Sequence, residues 1–141
     1  MCFIVWLKSF LKFTGGYNRK STEFIRVHET PTEGPDFPFS IHFHCLVEVD
    51  PRRIYLIGGS REGRSYSHEY SKHTWIIDPK DNFKMKPGPN MLVERAEHAC
   101  GTMKINGKTF IVAVGGKDKK SVELLDTTLP NNNASWRLGN L

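Results

Sequence analysis

Short apolar runs separated by polar turns recur along the chain, and the best-defined runs end in a pair of glycines. The runs at residues 54–57 and 110–114 contain no charged side chain. A strand with one solvated face would alternate apolar and polar positions, so both faces of these strands are expected to be buried. Both faces are buried when a small sheet packs between neighbouring sheets. The pattern therefore predicts a protein built from stacked sheets of short strands.

The glycine pairs define a repeat along the chain. They begin at positions 15, 58 and 115, which places them 43 and 57 residues apart. Four-stranded sheets that recur about every 40 to 60 residues and pack face to face are typical of β-propellers, in which each sheet forms one blade. Glycine adopts positive φ without a Cβ clash, which lets the chain bend sharply where a strand ends. The repeated glycines are Gly15, Gly16, Gly58, Gly59, Gly115 and Gly116.

Each complete repeat unit is predicted to contain four short strands. In the last unit, Asn106 and Gly107 separate two β-compatible runs, and Asn-Gly is a strong signal for a two-residue hairpin turn. The only helix-like stretch, residues 93–99, lies where a loop leads into a strand. We predict an all-β fold, a partial β-propeller of about two and a half four-stranded blades in one domain spanning 1–141. Its parts are a partial blade at about 10–37 and blades at 40–91 and 95–141.

These units resemble kelch repeats, and the resemblance covers nearly the whole chain. In that family, aromatic residues follow the glycine pair in a fixed order, and an Arg-x-x-His sequence leads into the first strand of a blade. Arg95 and His98 match the Arg-x-x-His sequence. The last unit departs from the aromatic pattern, because Glu123 occupies the position that corresponds to Trp75. The resemblance implies that Trp75 is buried between blades. The first aromatic position is occupied by Trp75 in the second unit and by Phe24 in the first unit, and the second aromatic position by Phe83 in the second unit and by Trp136 in the last unit.

The chain supplies fewer blades than a closed ring requires. Propellers contain about four to eight blades. A partial ring leaves strand edges and apolar blade faces uncovered, which favours association. We therefore expect that these faces are covered by the remainder of a longer propeller or by self-association.

The segment at 60–72 is the longest connection between the second and third strands of a blade, and it is the main candidate for partner binding. Loops on a rigid scaffold often carry binding sites, and tyrosine and arginine are frequent interface anchors. A solvated insertion without a partner is an equally open interpretation, and Arg95 could instead pair with a neighbouring carboxylate to fix the blade. The candidate partner-binding residues are Arg61, Arg64, Tyr66, His68, Tyr70, Glu94 and Arg95.

The resemblance implies a non-enzymatic module that presents its loops to a protein or peptide, often an acidic one. A fragment of a copper enzyme of the galactose-oxidase type is one alternative, because such enzymes share the kelch-like propeller. The substrate-recognition part of a ubiquitin-ligase adaptor is another. His42, His44 and His98 could ligate a metal, but no carboxylate or cysteine completes a set, so no metal site and no cofactor is expected.

Composition excludes several other classes of partner. The net charge is +5, from 20 basic and 15 acidic residues, and the basic residues are scattered, so no nucleic-acid partner is expected. The apolar run at 1–7 is far shorter than the roughly 18 residues that span a membrane, so no membrane partner is expected.

The cysteines suggest a reducing compartment. Cys2, Cys45 and Cys100 form no CxxC pair, which predicts neither a zinc site nor a disulfide framework, and the latter two are expected to be small buried hydrophobes. We therefore expect a cytoplasmic protein. The tripeptide that begins at Asn133 fits a glycosylation acceptor, which keeps secretion as the alternative.

Overall fold

The described part of the chain is built from β-strands. The computed structural model describes residues 3–6, 11–14, 22–25, 32–34, 36, 40–62 and 68–139. Within these residues there is no helix, and the strands form three antiparallel four-stranded sheets and one two-stranded sheet. The all-β class predicted from the apolar runs is therefore confirmed.

The three large sheets follow one another along the chain. The strands are β1 Phe3–Trp6, β2 Leu11–Thr14, β3 Thr22–Ile25, β4 Thr32–Gly34, β5 Cys45–Asp50, β6 Arg53–Ile57, β7 Ser60–Glu62, β8 His68–Tyr70, β9 Thr74–Asp78, β10 Lys84–Pro87, β11 Ala99–Ile105, β12 Lys108–Val114, β13 Val122–Asp126 and β14 Trp136–Gly139. They pair in the order β1-β2-β3-β4 in the first sheet, β10-β9-β6-β5 in the second and β11-β12-β13-β14 in the third, while β7 and β8 form the small sheet.

The first sheet extends further toward the N-terminus than the sequence suggested. A partial blade was predicted at about 10–37, but β1 pairs with β2 and gives this sheet its fourth strand. The described strands therefore form three four-stranded sheets rather than two and a half. A strand of only four residues carries too little periodicity to be recognised, and no glycine or proline marks its ends in the sequence.

The glycines at the ends of β6 and β12 occupy equivalent positions, as predicted. Gly58 and Gly115 have φ of 61° and 67°, and the glycines that follow them have φ of 101° and 110°. A side chain at these angles would clash with the backbone, so the sequence needs glycine here. Asn106 and Gly107 also have positive φ, 49° and 76°, and join β11 to β12 by the predicted two-residue turn. Gly15 and Gly16 lie outside the described residues.

The main core lies between the second and third sheets. The second sheet contributes Tyr55, Ile57 and Ile76 to it. The third sheet contributes Ile111, Ala113, Leu125 and Trp136. The side chain of Trp136 is buried, and its Nε1 donates a hydrogen bond to the carbonyl oxygen of Pro89, which lies in the connection between the two sheets. This contact joins the outer strand of the third sheet to that connection.

The opposite face of the second sheet carries a separate apolar cluster. Ile54, Leu56 and Ile77 are buried in it, and Trp75 packs against them while staying only half-buried. The prediction that Trp75 is buried between blades is therefore corrected: among the described residues, Trp136 is the tryptophan enclosed between two sheets. Trp75 lies opposite Leu56 in the strand register, on the face turned away from the third sheet.

Strand register also corrects the alignment of the aromatic positions. Leu56 and Ala113 each lie two residues before a glycine pair, and Trp75 and Glu123 are their respective cross-strand partners. Trp75 and Glu123 are therefore equivalent, as predicted from the sequence. In the first sheet the equivalent residue is Glu23, not the neighbouring Phe24. At the second aromatic position, the equivalent of Trp136 is Met85, whereas Phe83 lies in the turn before β10.

A disulfide joins the first strands of neighbouring sheets. Cys45 on β5 and Cys100 on β11 are bonded to each other, with their Cα atoms 6.1 Å apart. The expectation of two free thiols is therefore wrong, and the inference of a reducing compartment loses its support, because disulfides persist mainly in oxidising compartments. The two cysteines are 55 residues apart in sequence, and only the stacking of the two sheets brings them together.

Candidate interaction surface

The described ends of the segment at 60–72 are paired strands rather than an open loop. They pair as β7 and β8, which form a two-stranded sheet. Isolated bridges extend this sheet on both sides, from Ser60 to His42 and from Ser71 to Arg95. The hairpin is thus held between the segments that lead into the second and third sheets. These pairings hold Arg61 and Tyr70 on a defined backbone.

Arg95 is the centre of a buried hydrogen-bond network at the base of this surface. Its side chain is fully buried, and its Nη1 donates to the carbonyl oxygens of Gly115 at 2.6 Å and Ser121 at 2.9 Å. Its Nε and Nη2 donate to Oε1 of Glu123, which is also fully buried. The carbonyl oxygen of Arg95 in turn accepts a hydrogen bond from the amide of Gly59. Arg95 therefore connects the two glycine pairs.

Glu123 fixes the connection between the second and third sheets. Its carboxylate accepts hydrogen bonds from the backbone amides of Leu92 at 2.7 Å and Val93 at 3.1 Å, in addition to those from Arg95. All these donors satisfy a charge that burial would otherwise make costly. Glu123 is the structurally important residue that sequence reasoning treated only as a departure from the aromatic pattern.

The network decides between the two interpretations of Arg95. Arg95 is one of the predicted partner-binding residues, but its side chain is 0% exposed and its donors are used within the chain. It is therefore not available to a partner. The alternative that it pairs with a neighbouring carboxylate to fix the blade is the one observed.

His98 fills the space between the two glycine pairs. A Cβ added at Gly58 would lie 2.8 Å from Cε1 of His98, and one added at Gly116 would lie 3.3 Å from its Cβ. The His98 side chain is 9% exposed and makes no hydrogen bond. Burial, and secondarily the positive charge of Arg95, lowers the pKa of His98 to about 4. The imidazole is therefore a neutral packing element at neutral pH.

The stability of the fold should decrease as the pH falls from about 6.5 to about 4. The pKa of His98 is about 4 in the folded chain against 6.5 for an ordinary histidine. The unfolded chain therefore takes up the proton first, and protonation favours unfolding throughout this window. The loss in the free energy of unfolding is expected to approach roughly 3 kcal/mol at the acid end. Urea denaturation at a series of pH values measures it.

Two histidine variants test whether His98 causes this pH dependence of the free energy of unfolding. His98→Phe keeps a ring of similar size and should flatten the dependence between pH 6.5 and 4. His73→Gln, at an exposed position, should leave it unchanged. An equal slope in His98→Phe and the unmodified chain would mean that another group causes the pH dependence.

A shallow depression of about 150 Å³ lies beside the hairpin. Three of the predicted partner-binding residues come together in it, namely Arg61, Tyr70 and Glu94. Arg61 and Tyr70 are half-buried, and Glu94 is exposed. Sequence reasoning did not identify the remaining lining residues, which are Glu69, Ser71, Lys72 and His73. We call the surface formed by the seven lining residues the hairpin surface.

The hairpin surface extends to the loop that follows the glycine pair of the third sheet. The pKa of Lys117 is raised chiefly by the side chain of Tyr70 beside it and also by the charges of Glu97 and Asp118. The amide of Lys117 donates to the carbonyl oxygen of Ala96 at 3.0 Å. Segments from two sheets therefore form one continuous surface around Tyr70.

The described charges around the hairpin surface are of both signs. The prediction of an acidic partner depended on a cationic loop, but acidic side chains accompany the basic ones. Arg64 and Tyr66 lie outside the described residues, and of His68 only the backbone position in β8 is described. The basic residues are Arg61, Lys72 and Lys117, and the acidic residues are Glu69, Glu94, Glu97 and Asp118.

A larger depression of about 500 Å³ lies at the other end of the second sheet. Its charged side chains are largely paired with one another. Arg52 contacts Asp78 at 3.0 Å, and Arg53 contacts Asp50 at 2.6 Å and also donates to the carbonyl oxygen of Thr127. These pairs leave fewer donors and acceptors for a ligand, so volume alone does not make this depression the better candidate.

The described residues contain neither a metal-binding cluster nor a membrane-spanning helix. No group of three or more histidine, cysteine, aspartate or glutamate side chains there is arranged to hold a metal ion. No helix there is long and apolar enough to cross a membrane.

Comparison with known proteins shows the fold. No protein-family model matches the chain, and no curated protein matches it. Among solved structures, one described as "Structure of YjhT" matches with a TM-score of 0.74 at 13% identity. The match covers 99% of this chain and 50% of the other, so the chain spans about half of that protein. The chain is a partial β-propeller. The three four-stranded sheets that the described residues form are its blades.

Proposed function

We propose that the chain is a non-enzymatic protein-interaction module of the kelch-repeat type, which binds a protein or peptide at the hairpin surface. The observation that carries this proposal is the hairpin of β7 and β8, which is bridged to both neighbouring segments and places Tyr70, Arg61 and Glu94 around one depression. Tyrosine and arginine on a rigid support are the residue types that dominate binding energy at protein interfaces. A solvated insertion would not need bridges on both sides.

The proposed partner is a polar segment that carries charges of both signs. Lys72 and Glu94 line the same depression and are both exposed. A purely acidic peptide would meet Glu69 and Glu94 as well as the basic residues, and like charges brought together at an interface are unfavourable. Tyr70 would supply the apolar contact at the centre, because its ring is half-buried beside the charged rim.

Selection of peptides from a random displayed library tests the proposal. We expect the purified chain to enrich peptides, and we expect Tyr70→Ala to weaken their binding by roughly 30-fold, as for an interface anchor of about 2 kcal/mol. Arg52→Ala, at the opposite end of the second sheet, is the matched control and should retain the binding. Failure to enrich any peptide, or equal loss in both variants, would contradict the proposal.

The two alternatives drawn from the resemblance have no observation in their favour. A copper oxidase would bind stoichiometric copper and oxidise alcohols, and metal analysis of the purified protein together with an oxidase assay measures both. A positive result would replace the interaction module by the enzyme. A ubiquitin-ligase adaptor would use the hairpin surface to hold its substrate, so peptide binding alone does not separate it from the proposed module.

A further inference from the structure

The third sheet has an apolar outer face that matches a face covered elsewhere in the same chain. Counted from the glycine pairs, Val114 on β12 is equivalent to Ile57 on β6, which is 0% exposed because the third sheet packs on it. Val114 is 42% exposed. Met103, on the same face of the third sheet by register, is also 42% exposed. This face therefore has the register of a blade interface without a blade on it.

Two further positions on this face follow the same rule. Val112 and Leu124 lie opposite each other in the third sheet, as Tyr55 and Ile76 do in the second. Tyr55 and Ile76 are each 2% exposed, whereas Val112 and Leu124 are only half-buried. The outward-facing residues of β12 and β13 are therefore apolar at the same positions at which the second sheet contacts its neighbouring sheet. The occupant that fits is another four-stranded blade.

The first sheet carries the complementary pattern. In the third sheet, Ile111, Ala113 and Leu125 form the side that receives the neighbouring blade. The equivalent positions in the first sheet, by the same count and pairing, are Leu11, Phe13 and Ile25. In the second sheet they are Ile54, Leu56 and Ile77, which form its other apolar cluster. All three sheets therefore have apolar residues at these equivalent positions.

We propose that two copies of this chain associate, with the first sheet of each copy covering the outer face of the third sheet of the other. Head-to-tail contacts of this kind close into a ring when the rotation per unit allows it. Propellers contain about four to eight blades, and six is the only multiple of three in that range. Two copies that each contribute the three described blades would therefore complete a six-bladed ring. The solved structure that this chain matches is likewise about twice as long as the part that the chain covers.

Cysteine cross-linking tests which sheets meet. The disulfide between Cys45 and Cys100 marks the contact of adjacent blades within the chain. By register, Ala99 of the third sheet is equivalent to Cys45, and Ile4 of the first sheet is equivalent to Cys100. Chains carrying Ile4→Cys are mixed with chains carrying Ala99→Cys, both with Cys2→Ser. A cross-linked dimer that disappears on reduction should form in the mixture and in neither variant alone.

Lys104→Cys provides a control for position. Lys104 lies on β11 like Ala99 but on the other face of the strand, so its mixture with Ile4→Cys should give no cross-link. The absence of a dimer in the Ala99→Cys mixture, or equal cross-linking with Lys104→Cys, overturns the proposed contact.

Sedimentation measures the association itself. The unmodified chain should sediment at twice its mass of 16.1 kDa. Val114→Asp places a charge on the proposed interface and should raise the dissociation constant at least tenfold. Leu138→Asp is the matched control, because Leu138 is 56% exposed but lies opposite Glu123, on the other face of the third sheet. A monomer at micromolar concentration, or a dimer unaffected by Val114→Asp, contradicts the two-copy ring.

Discussion

Glu123→Gln is expected to lower the free energy of unfolding by about 3–5 kcal/mol, the usual cost of removing one partner of a buried ion pair. The amides of Leu92 and Val93 donate to different oxygens of Glu123, and glutamine keeps only one acceptor oxygen, so one of these two hydrogen bonds is also lost. The substitution removes the negative charge that compensates the guanidinium of Arg95, which is 0% exposed. An unpaired charge would then remain in the interior. Chemical denaturation monitored by tryptophan fluorescence measures the loss.

Two companion variants separate the ion pair from a general effect of removing a carboxylate. Glu69→Gln, at an exposed position, should change stability by less than about 0.5 kcal/mol. The double variant Glu123→Gln with Arg95→Met removes both charges and should be more stable than Glu123→Gln alone. If the single and double variants are equally destabilised, the unpaired charge is not the cause.

Gly58→Ala is expected to destabilise the fold by roughly 2–5 kcal/mol, through two effects that act together. Gly58 has φ of 61°, which is unfavourable for a residue with a Cβ. The added Cβ would lie 2.5 Å from the carbonyl oxygen of Arg95 and 2.8 Å from Cε1 of His98. That carbonyl oxygen accepts the hydrogen bond from Gly59, so it cannot move away freely.

A series of glycine variants separates backbone strain from crowding. At Gly115, φ is 67° but the nearest atom to an added Cβ is 3.7 Å away, so alanine should cost only about 1–2 kcal/mol. Gly101 has no atom within 4 Å of an added Cβ and no positive φ, so alanine should cost nothing there. In thermal denaturation, the melting temperature should fall most for Gly58→Ala, less for Gly115→Ala and not at all for Gly101→Ala. Equal melting temperatures would contradict the role assigned to the glycine pairs.

The hairpin surface was only partly predictable. Tyr70 and Arg61 stood out because their residue types are common interface anchors, and the length of the segment marked it as a loop of interest. Its folding into β7 and β8 depends on bridges to His42 and Arg95, which come from other parts of the chain. The burial of Arg95 could not be read from its sequence neighbours, because its partner Glu123 lies 28 positions away.

The sequence by itself determined the strands of the second and third sheets and the turns that end them. These features depend on local chemistry: unbroken apolar runs, an Asn-Gly hairpin turn, and glycine pairs where φ must be positive. The order of the repeats then determined the stacking of sheets, because a strand that is apolar on both faces needs a neighbour on each side.

Tertiary structure alone decided which long-range partners meet. Cys45 and Cys100 occupy different positions within their repeats, since Cys45 is equivalent to Ala99, so no repeat alignment could pair them. Glu123 looked like a departure from an aromatic pattern until the fold placed it beside Arg95. The physical reason is the same in both cases. Periodicity specifies which face of a strand is buried, whereas the chemistry on that face depends on the residue that the next sheet brings opposite to it.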